Sequence, residues 1–387
     1  MDSMDRLYRI QANIDINNIR QNICTMKALA GANKKMLVVI KADGYGHGSV
    51  ELSRALTDLT DYYAVASIDE GIELRHHGCD KPILILGYTD SGDFEDLIRY
   101  DITATVYDYE ETFLLNQIAA SMNQKAKVHL KIDTGMSRIG LPCDAHGVET
   151  AKRILQLSNI YTEGVFTHYA KADESDKIAA NDQLMHFRHF LHELSEYDIP
   201  IKHISNSAGI MEMDNDGFDM VRSGIATYGL YPSDEVDKNA VKIYPAMELI
   251  SRVIHVKEVK KGTGIGYGWT YMAPHDMMIA TVSAGYADGY PRAMSGIGRV
   301  LIHGEYAPIV GRVCMDQFMV DVSHIKDVAV KDEVVLIGER DGRRISVEEV
   351  AAPAASFNYE LVCNIGRRVP RVYIRDGKPY KVLNYLI

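Results

Sequence analysis

Residues 38–48 read Val-Val-Ile-Lys-Ala-Asp-Gly-Tyr-Gly-His-Gly, a short apolar run that is followed by a lysine and a stretch with three glycines. The apolar run predicts a buried strand, and Lys41 follows that strand directly. Further apolar runs of similar length come later in the chain, and helix-like stretches separate them. The predicted strands cover residues 37–40, 63–66, 83–86, 103–106, 128–132, 164–167, 203–205 and 219–222.

The alternation of strands and helices predicts the fold class. The predicted helices cover residues 16–30, 49–59, 110–122, 145–157 and 178–197. Strands that are each followed by a helix or a helical turn predict an α/β fold, here an N-terminal closed (β/α)8 barrel of the TIM type. A doubly wound parallel sheet is the alternative, and regular units repeated over about 220 residues favour the barrel.

The last third of the chain has a different pattern. Short strands separated by glycine and charged turns are predicted at 247–259, 278–283, 300–302, 307–313, 318–322 and 334–337, and only 347–352 reads as a helix. We therefore expect a barrel domain over residues 1–240 and a mostly β C-terminal domain over 241–387, joined near 236–242. Residues 8–14 alternate apolar and polar, which predicts a strand outside the barrel that is available to the second domain.

Composition excludes several classes of protein. The 387 residues are 47% hydrophobic and 25% charged, with a net charge of -11, which is the balance of a globular protein and not of a disordered one. An acidic chain without a basic patch is repelled by phosphate backbones and anionic lipid, so we expect no nucleic-acid partner and no membrane partner. No apolar stretch approaches the roughly 20 residues of a membrane span.

The termini and the cysteines point to the cytoplasm. The first ten residues hold two aspartates and no apolar core, which argues against a secretory signal. The five cysteines are scattered and contain no Cys-x-x-Cys pair. A disulfide framework and a zinc ribbon are therefore not expected, and a reducing compartment fits.

Polar side chains follow the predicted barrel strands at their C-terminal ends, where such barrels carry their chemistry. These residues are Lys41, Arg138, His168, Asn206, Ser207 and Arg222. The loops after strands seven and eight often hold a phosphate, and here they offer Ser207 and the backbone amides of Gly224 and Ile225. A lysine opposite a phosphate cradle suggests a phosphorylated carbonyl cofactor held as a Schiff base.

Each of these residues also has an ordinary structural interpretation. Taken alone, Lys41 reads as a solvated surface lysine, Arg222 as an ion-pair partner and His168 as a core histidine. Their shared position on one rim favours a functional mouth.

Two other patterns are not interpreted as sites. The glycines between 262 and 268 do not have the spacing of a dinucleotide-binding loop, and no helix pattern follows them. Three histidines at 186, 189 and 192 are spread around a predicted helix, which favours a polar helix face over a metal site. We expect no metal.

Six short segments occur in order along the chain. They are Ala-Asp-Gly-Tyr-Gly-His-Gly at 42–48, His-Leu-Lys-Ile-Asp-Thr-Gly-Met-Ser-Arg-Ile-Gly at 129–140, Ser-Asn-Ser-Ala at 205–208, Ala-Gly-Tyr-Ala-Asp-Gly-Tyr-Pro-Arg at 284–292, Gly-Arg-Val-Cys-Met-Asp-Gln at 311–317 and Asn-Tyr-Glu at 358–360. Over nearly its whole length the chain resembles the bacterial alanine racemases, which are fold-type III pyridoxal-phosphate enzymes. The ordered set of segments makes this resemblance specific.

The resemblance implies that pyridoxal 5'-phosphate is the cofactor and that Lys41 carries it. Arg222 would face the pyridine nitrogen, with His168 hydrogen-bonded to Arg222. The phosphate would be held by Tyr45, Ser207, Gly224, Ile225 and Tyr359.

The resemblance also assigns the substrate side of the site. Tyr267 would be the second catalytic base, serving the L face while Lys41 serves the D face. Lys131 matches a position that is often carbamylated in this family. The residues beside the substrate carboxylate or the entrance would be Arg138, Met315, Asp316 and Tyr286. A departure from the family is the bulky Trp269, just after Tyr267.

The resemblance further implies a homodimer with shared active sites, in which the partner's β domain closes each barrel mouth. The product D-alanine would supply peptidoglycan synthesis. Two other functions stay open from the sequence: a serine or broad-specificity amino-acid racemase, and a non-catalytic pyridoxal-phosphate-binding protein. Proteins of the latter kind resemble the barrel half but lack the β domain, so the C-terminal half of this chain argues for the enzyme.

Overall fold

The structure, a computed structural model, describes residues 7–387. Its strands as far as residue 244 are β1 (Ile10–Asp15), β2 (Lys35–Val39), β3 (Tyr62–Val65), β4 (Ile83–Ile85), β5 (Ala104–Val106), β6 (Ala126–Asp133), β7 (Leu141–Pro142), β8 (Ile160–Phe166), β9 (Ile201–His203) and β10 (Met220–Ser223). Its helices there are α1 (Ile16–Ala30), α3 (Ser49–Ala55), α4 (Ile68–His76), α5 (Phe94–Arg99), α6 (Tyr109–Ser121), α7 (Ala145–Leu155), α8 (Ile178–Glu193) and α9 (Ser207–Glu212), and the segment labelled α2 (Lys41–Tyr45) is a left-handed turn.

Eight of these strands close into a parallel barrel. One sheet has the order β10-β2-β3-β4 and the other the order β5-β6-β8-β9. A parallel bridge between Leu84 and Thr103 joins β4 to the segment leading into β5. Two backbone hydrogen bonds join β9 and β10 with their adjoining residues: the Asp219 amide donates to the Lys202 carbonyl at 2.9 Å, and the Arg222 amide donates to the Ser205 carbonyl at 3.0 Å. The predicted α/β barrel is confirmed, and the doubly wound alternative is wrong.

The barrel strands are short and buried on both faces, as parallel strands covered by helices must be. All residues of β3, β4 and β5 are buried. Three of the barrel helices begin at side-chain caps: Ser67, Asp108 and Asp144 each accept a backbone amide of the first helical turn. The strands that precede these three helices therefore end close to a fixed helix start, and parallel strands place the residues that follow them at one rim.

The remaining strands of the described chain are β11 (Met247–Val259), β12 (Gly264–Ile265), β13 (Tyr271–Met272), β14 (Met277–Val282), β15 (Arg299–Ile302), β16 (Glu305–Val310), β17 (Phe318–Asp321), β18 (Glu333–Arg340), β19 (Arg343–Ile345), β20 (Arg371–Arg375) and β21 (Lys378–Leu383), with helices α10 (Val347–Ala351) and α11 (Asn358–Cys363). Ten strands form one sheet of order β19-β18-β15-β16-β17-β14-β11-β1-β20-β21. The predicted N-terminal strand is β1, and it pairs antiparallel with β11 and parallel with β20. A mostly β C-terminal domain is confirmed.

The prediction of a single helix in this part was wrong, because α11 is also present. Its six residues are too few to show a helical period, and Phe357 before them makes no side-chain cap. The strands β20 and β21 were also not predicted.

The described residues form two compact units. One consists of residues 7–18, 45–48 and 245–387, and the other of residues 19–44 and 49–244. The part of the predicted first domain that precedes residue 7 lies outside the described residues. Within residues 7–387, no helix combines the length and the apolar composition that a membrane crossing requires.

Candidate active site

Lys41 lies at the start of a left-handed turn. Residues 42–44 have φ between 52° and 60°, although two of them carry side chains. Such a conformation costs about 1 kcal/mol for each non-glycine residue, so hydrogen bonds must hold the turn. Asp43 Oδ1 accepts the Ser49 amide at 2.9 Å, and Glu70 Oε1 accepts the amide that follows Lys41 at 2.6 Å. These bonds fix the backbone that presents Lys41.

Arg222 is a buried arginine that is bonded to neutral acceptors. It is 2% exposed. Its Nη2 donates to His168 Nδ1 at 3.0 Å and to the carbonyl oxygens of Thr167 and Ile204 at 2.9 Å and 2.7 Å. Its Nη1 donates to His203 Nδ1 at 2.8 Å. Within residues 7–387 no carboxylate forms an ion pair with it, and its Nε makes no hydrogen bond.

The charge state of this cluster follows from burial. Burial, followed by repulsion from Arg138, lowers the pKa of Arg222 to about 9, which leaves the guanidinium protonated at neutral pH. Burial, with the charges of Arg222, Arg138, Lys131 and Lys41 acting in the same direction, lowers the pKa of His168 well below its ordinary value. His168 is therefore a neutral acceptor inside a ring of cations.

Ser207 joins the two loops that were expected to bind a phosphate. It is 3% exposed, and its Oγ accepts the amides of Gly224 at 2.9 Å and Ala226 at 3.3 Å. Asn206 caps α9 by accepting the Gly209 amide at 2.9 Å. The amide of Ile225 has no acceptor among the described residues. The two loops thus place the Ser207 hydroxyl beside the Ile225 amide, while the amides of Gly224 and Ala226 donate to Ser207 Oγ.

Lys131 lies on β6 and is 3% exposed. Its Nζ donates to the carbonyl oxygens of Ile132 at 2.7 Å and Ile139 at 3.1 Å. Burial is the main cause that lowers its pKa to about 8, Asp133 opposes this shift, and Arg222 with Arg138 adds to it. A substantial fraction of Lys131 is therefore an uncharged amine near pH 8. Arg138 itself is exposed.

Tyr45 and Tyr359 belong to the unit that contains the large sheet, where their ring centroids lie 6.2 Å apart. The segments next to the two tyrosines are packed against each other. A Cβ on Gly46 would lie 2.1 Å from the Val362 carbonyl oxygen, and Arg371 Nε donates to the Gly46 carbonyl at 2.9 Å. The structure brings these two predicted phosphate ligands together.

Tyr267 lies in the turn of the hairpin formed by β12 and β13 and is 70% exposed. Gly266 and Gly268 on either side of it have φ 73° and 68°. A Cβ on Gly264 would lie 2.4 Å from Cγ of Trp269, so the indole packs directly on that glycine. Trp269 therefore braces the turn that carries Tyr267.

Tyr286, Met315 and Asp316 lie on two loops of the same unit that are joined by hydrogen bonds. The Tyr286 amide donates to the Cys314 carbonyl at 3.1 Å, and the next amide donates to the Met315 carbonyl at 3.1 Å. Arg368 Nη2 donates to Asp316 Oδ1 at 2.7 Å, and Arg368 Nε lies 3.6 Å from Oδ1 of the fully buried Asp288. The two loops are therefore held as one group.

Two family models match the chain. One described as "Alanine racemase, N-terminal domain" matches residues 14–232, and one described as "Alanine racemase, C-terminal domain" matches residues 246–373. The chain belongs to the alanine racemase family.

Individual alanine racemases are similar over nearly the full chain. That of Desulforamulus reducens is 46% identical over 368 residues, which are 94% of this chain and 99% of the relative. The solved alanine racemase of Clostridium difficile 630 has a TM-score of 0.95 at 43% identity, over 99% of this chain and 100% of that one. The structure of the Bacillus anthracis alanine racemase with bound L-Ala-P has a TM-score of 0.92 at 35% identity, over 98% and 99% of the two chains. The chain is therefore an enzyme with the alanine racemase fold.

Alanine racemases use pyridoxal 5'-phosphate, and the donors of the barrel fit this group. A guanidinium can only donate, so the open Nε of Arg222 suits a pyridine nitrogen that accepts. The amides beside Ser207 suit a phosphate, and a strand-end lysine suits the carbonyl carbon. Within the described residues, no group of three or more His, Cys, Asp or Glu side chains is arranged to hold a metal ion.

The sequence did not single out several polar residues that lie around the alanine racemase site. His129 lies in a quoted segment and Asp288 in another, but neither was given a role. His203 and Glu163 carried no sequence signal, because a single polar residue in an apolar strand does not reveal which neighbours it meets in the barrel. Their positions follow from the strand register, which aligns β6 with β8 and β8 with β9.

Proposed function

We propose that Lys41 and Tyr267 are the two bases with which this alanine racemase interconverts L-alanine and D-alanine. Bound pyridoxal phosphate supplies the electron-withdrawing ring that makes the α-hydrogen of alanine acidic. Lys41 Nζ takes or returns this proton on the D face, and Tyr267 Oη does so on the L face. Two groups are needed because one base cannot reach both faces of a bound substrate.

The observation that carries the proposal is the buried Arg222, which is held by His168 and His203 and by no carboxylate among the described residues. Arg222 would donate a hydrogen bond to the pyridine nitrogen. It would not transfer its proton to that nitrogen, because the guanidinium stays protonated. A donor at this place keeps the nitrogen unprotonated. We infer that this limits return of the proton to the wrong carbon, and so limits transamination.

The remaining residues would bind and orient. Tyr45, Tyr359, Ser207 and the amides of Gly224 and Ile225 would hold the phosphate. Arg138, Met315 and Asp316 would hold the substrate carboxylate, with Tyr286 at the entrance. The amine of Lys131, partly uncharged near pH 8, supports the proposal that it reacts with carbon dioxide, because only a neutral amine is nucleophilic.

We further propose a homodimer in which the partner's C-terminal domain completes each site. Tyr267, Tyr286 and Met315 are 70%, 43% and 52% exposed, although each is large and partly apolar. Exposed apolar side chains on neighbouring loops are typical of an interaction surface, and they support a partner at this place. The five cysteines of the described chain are all free, which supports a cytoplasmic enzyme that supplies D-alanine for peptidoglycan.

The proposal is tested by racemisation in heavy water. Wild-type enzyme with the cofactor should abolish the circular dichroism of an L-alanine solution, and the D-alanine formed should carry solvent deuterium at the α-carbon, because the second base holds a solvent-derived proton. L-Serine serves as the competing substrate. D-Alanine that retains the substrate hydrogen would show that a single base acts, and faster turnover of serine would reject the substrate assignment.

The cofactor assignment has its own test. Borohydride reduction followed by peptide mass spectrometry should find the cofactor on Lys41, and the Lys41→Ala variant should lose it. Recovery of the reduced adduct on another lysine, such as Lys131, would contradict the assignment.

A further inference from the structure

The interior of the barrel contains a connected polar chain below Arg222. His129 and His203 are both 0% exposed, and His129 Nδ1 lies 2.9 Å from His203 Nε2. Interiors of such barrels are ordinarily filled by branched aliphatic side chains, so two buried imidazoles in contact require an explanation. His203 also stacks on Phe166 with centroids 4.7 Å apart, which fixes the plane of its ring.

The hydrogen bonds fix the tautomer of each ring. Arg222 can only donate, so His203 Nδ1 must be an acceptor and the ring proton of His203 must be on Nε2. That proton points at His129 Nδ1, which must then accept, and this places the ring proton of His129 on its Nε2. Burial is the main cause that lowers the pKa of both rings below the ordinary value. Glu163 opposes this shift at His129, and the charge of Arg222 adds to it at both rings. Both rings are therefore neutral, and each has one donor and one acceptor.

The chain ends beside a carboxylate, at a distance slightly longer than a hydrogen bond. His129 Nε2 and Glu163 Oε2 lie 3.6 Å apart, and neither atom has a hydrogen-bond partner among the described residues. The other oxygen of Glu163 accepts from the Tyr62 hydroxyl at 2.8 Å. Burial alone would raise the pKa of Glu163, but His129 and Tyr62 lower it below the ordinary value, so the carboxylate is ionised.

We propose that His203, His129 and Glu163 form a one-directional relay of positioning residues that orients the Arg222 guanidinium toward the cofactor. This inference rests on the proposed function and deepens it. His203 engages one N–H of Nη1, while His168 and two carbonyls engage Nη2, so Nε and the second N–H of Nη1 are the donors left, and Nε is the one proposed to face the cofactor. The Glu163 carboxylate balances the charge of the Arg222 guanidinium from a distance, because the two neutral rings of His129 and His203 lie between them. The proposed arrangement therefore needs no anion next to the pyridine nitrogen.

Two substitutions at His203 separate acceptor chemistry from packing. His203→Asn keeps an acceptor for Nη1, since the amide oxygen takes the place of Nδ1. His203→Leu keeps apolar volume against Phe166 but leaves a buried donor unpaired. Burying the Nη1 donor of Arg222 without an acceptor is unfavourable in free energy. We therefore expect the Leu variant to release the cofactor from diluted holoenzyme at least about tenfold faster than wild type. The Asn variant should remain within about threefold of wild type. Equal release by both variants would overturn the positioning role.

The relay itself has a test that does not depend on the function. Neutron diffraction from holoenzyme crystals should show deuterium on Nε2 and none on Nδ1 of both His129 and His203, with Glu163 ionised. Deuterium on Nδ1 of either ring would overturn the relay even if the enzyme racemises alanine. The activity of Tyr267→Phe tests the two-base mechanism separately, and we expect this variant to be nearly inactive. An active Tyr267→Phe enzyme would contradict the two-base mechanism and would leave the predicted deuterium positions unaffected.

Discussion

At the scale of single residues, burial without a carboxylate partner sets the protonation of the barrel mouth. Arg222 stays charged although burial lowers its pKa to about 9, and His168 stays neutral because burial, together with the nearby cations, lowers its pKa well below the ordinary value. The sequence could point to Lys41, His168 and Arg222, because they follow strands whose ends share a rim. It could not predict the pKa of Lys131, because desolvation depends on neighbours that only the folded chain supplies.

Lys131 should make the stability of the protein rise with pH between about 8 and 10.5. The folded residue loses its proton near pH 8 and the unfolded residue near 10.5, so in this window the unfolded chain binds more protons. Relative to Lys131→Met, the free energy of unfolding should increase by about 1–3 kcal/mol from pH 8 to about pH 10.

Urea unfolding in buffer free of carbon dioxide measures this difference, because carbamylation would otherwise remove the titrating amine. If the free energy of unfolding changed with pH in the same way in wild type and in Lys131→Met, the pKa of Lys131 would not be lowered in the folded protein.

Arg368 should matter for substrate binding and little for folding. It connects Asp316 to the buried Asp288 beside the Tyr286 turn, and its side chain is partly exposed. Exposed ion pairs contribute at most about 1 kcal/mol, so Arg368→Ala should raise KM for alanine by about threefold to tenfold with little change in thermal stability. Steady-state kinetics measure this, with the neighbouring exposed Arg367→Ala as the control. An unchanged KM would show that Asp316 needs no anchor.

At the scale of elements, the periodicity of apolar and polar residues predicts long regular helices and strands but does not predict short or strained segments. The helix α1 and the strand β11 have the predicted bounds, because each is long enough to show its own period. The turn α2 and the helix α11 were not predicted. The first is left-handed, which side-chain pattern does not encode, and the second is shorter than two turns.

The hairpin that carries Tyr267 gives a prediction at this scale. In Gly264→Ala, the new Cβ would displace the Trp269 indole and disturb the turn, although the backbone at Gly264 tolerates a side chain. We expect kcat to fall severalfold, and the fluorescence maximum to shift, because Trp269 is the single tryptophan of the chain.

The double variant Gly264→Ala with Trp269→Ala provides the control, because it removes the clash and should recover part of the lost kcat. If the double variant is as slow as Gly264→Ala, the indole does not brace the turn.

At the scale of the whole molecule, the barrel could be predicted because parallel strands are apolar on both faces and recur at regular intervals. The polar chain through its interior could not be predicted, because His129, Glu163 and His203 become neighbours through strand register and not through sequence spacing. The pairing of β1 with β11 and β20 likewise depends on chain segments that are distant in sequence. We propose at this scale that each active site takes Lys41 from one protomer and Tyr267 from its partner.

Subunit mixing tests that claim most directly. Lys41→Ala and Tyr267→Phe proteins, each nearly inactive, are combined under conditions that exchange subunits, and a tagged-chain pull-down confirms the exchange. In a hybrid dimer one site receives both substitutions and the other receives neither. Random exchange puts about half of the chains in hybrids, so racemase activity should rise to about a quarter of wild type. If exchange is confirmed and no activity returns, both residues come from the same chain and the shared site is contradicted.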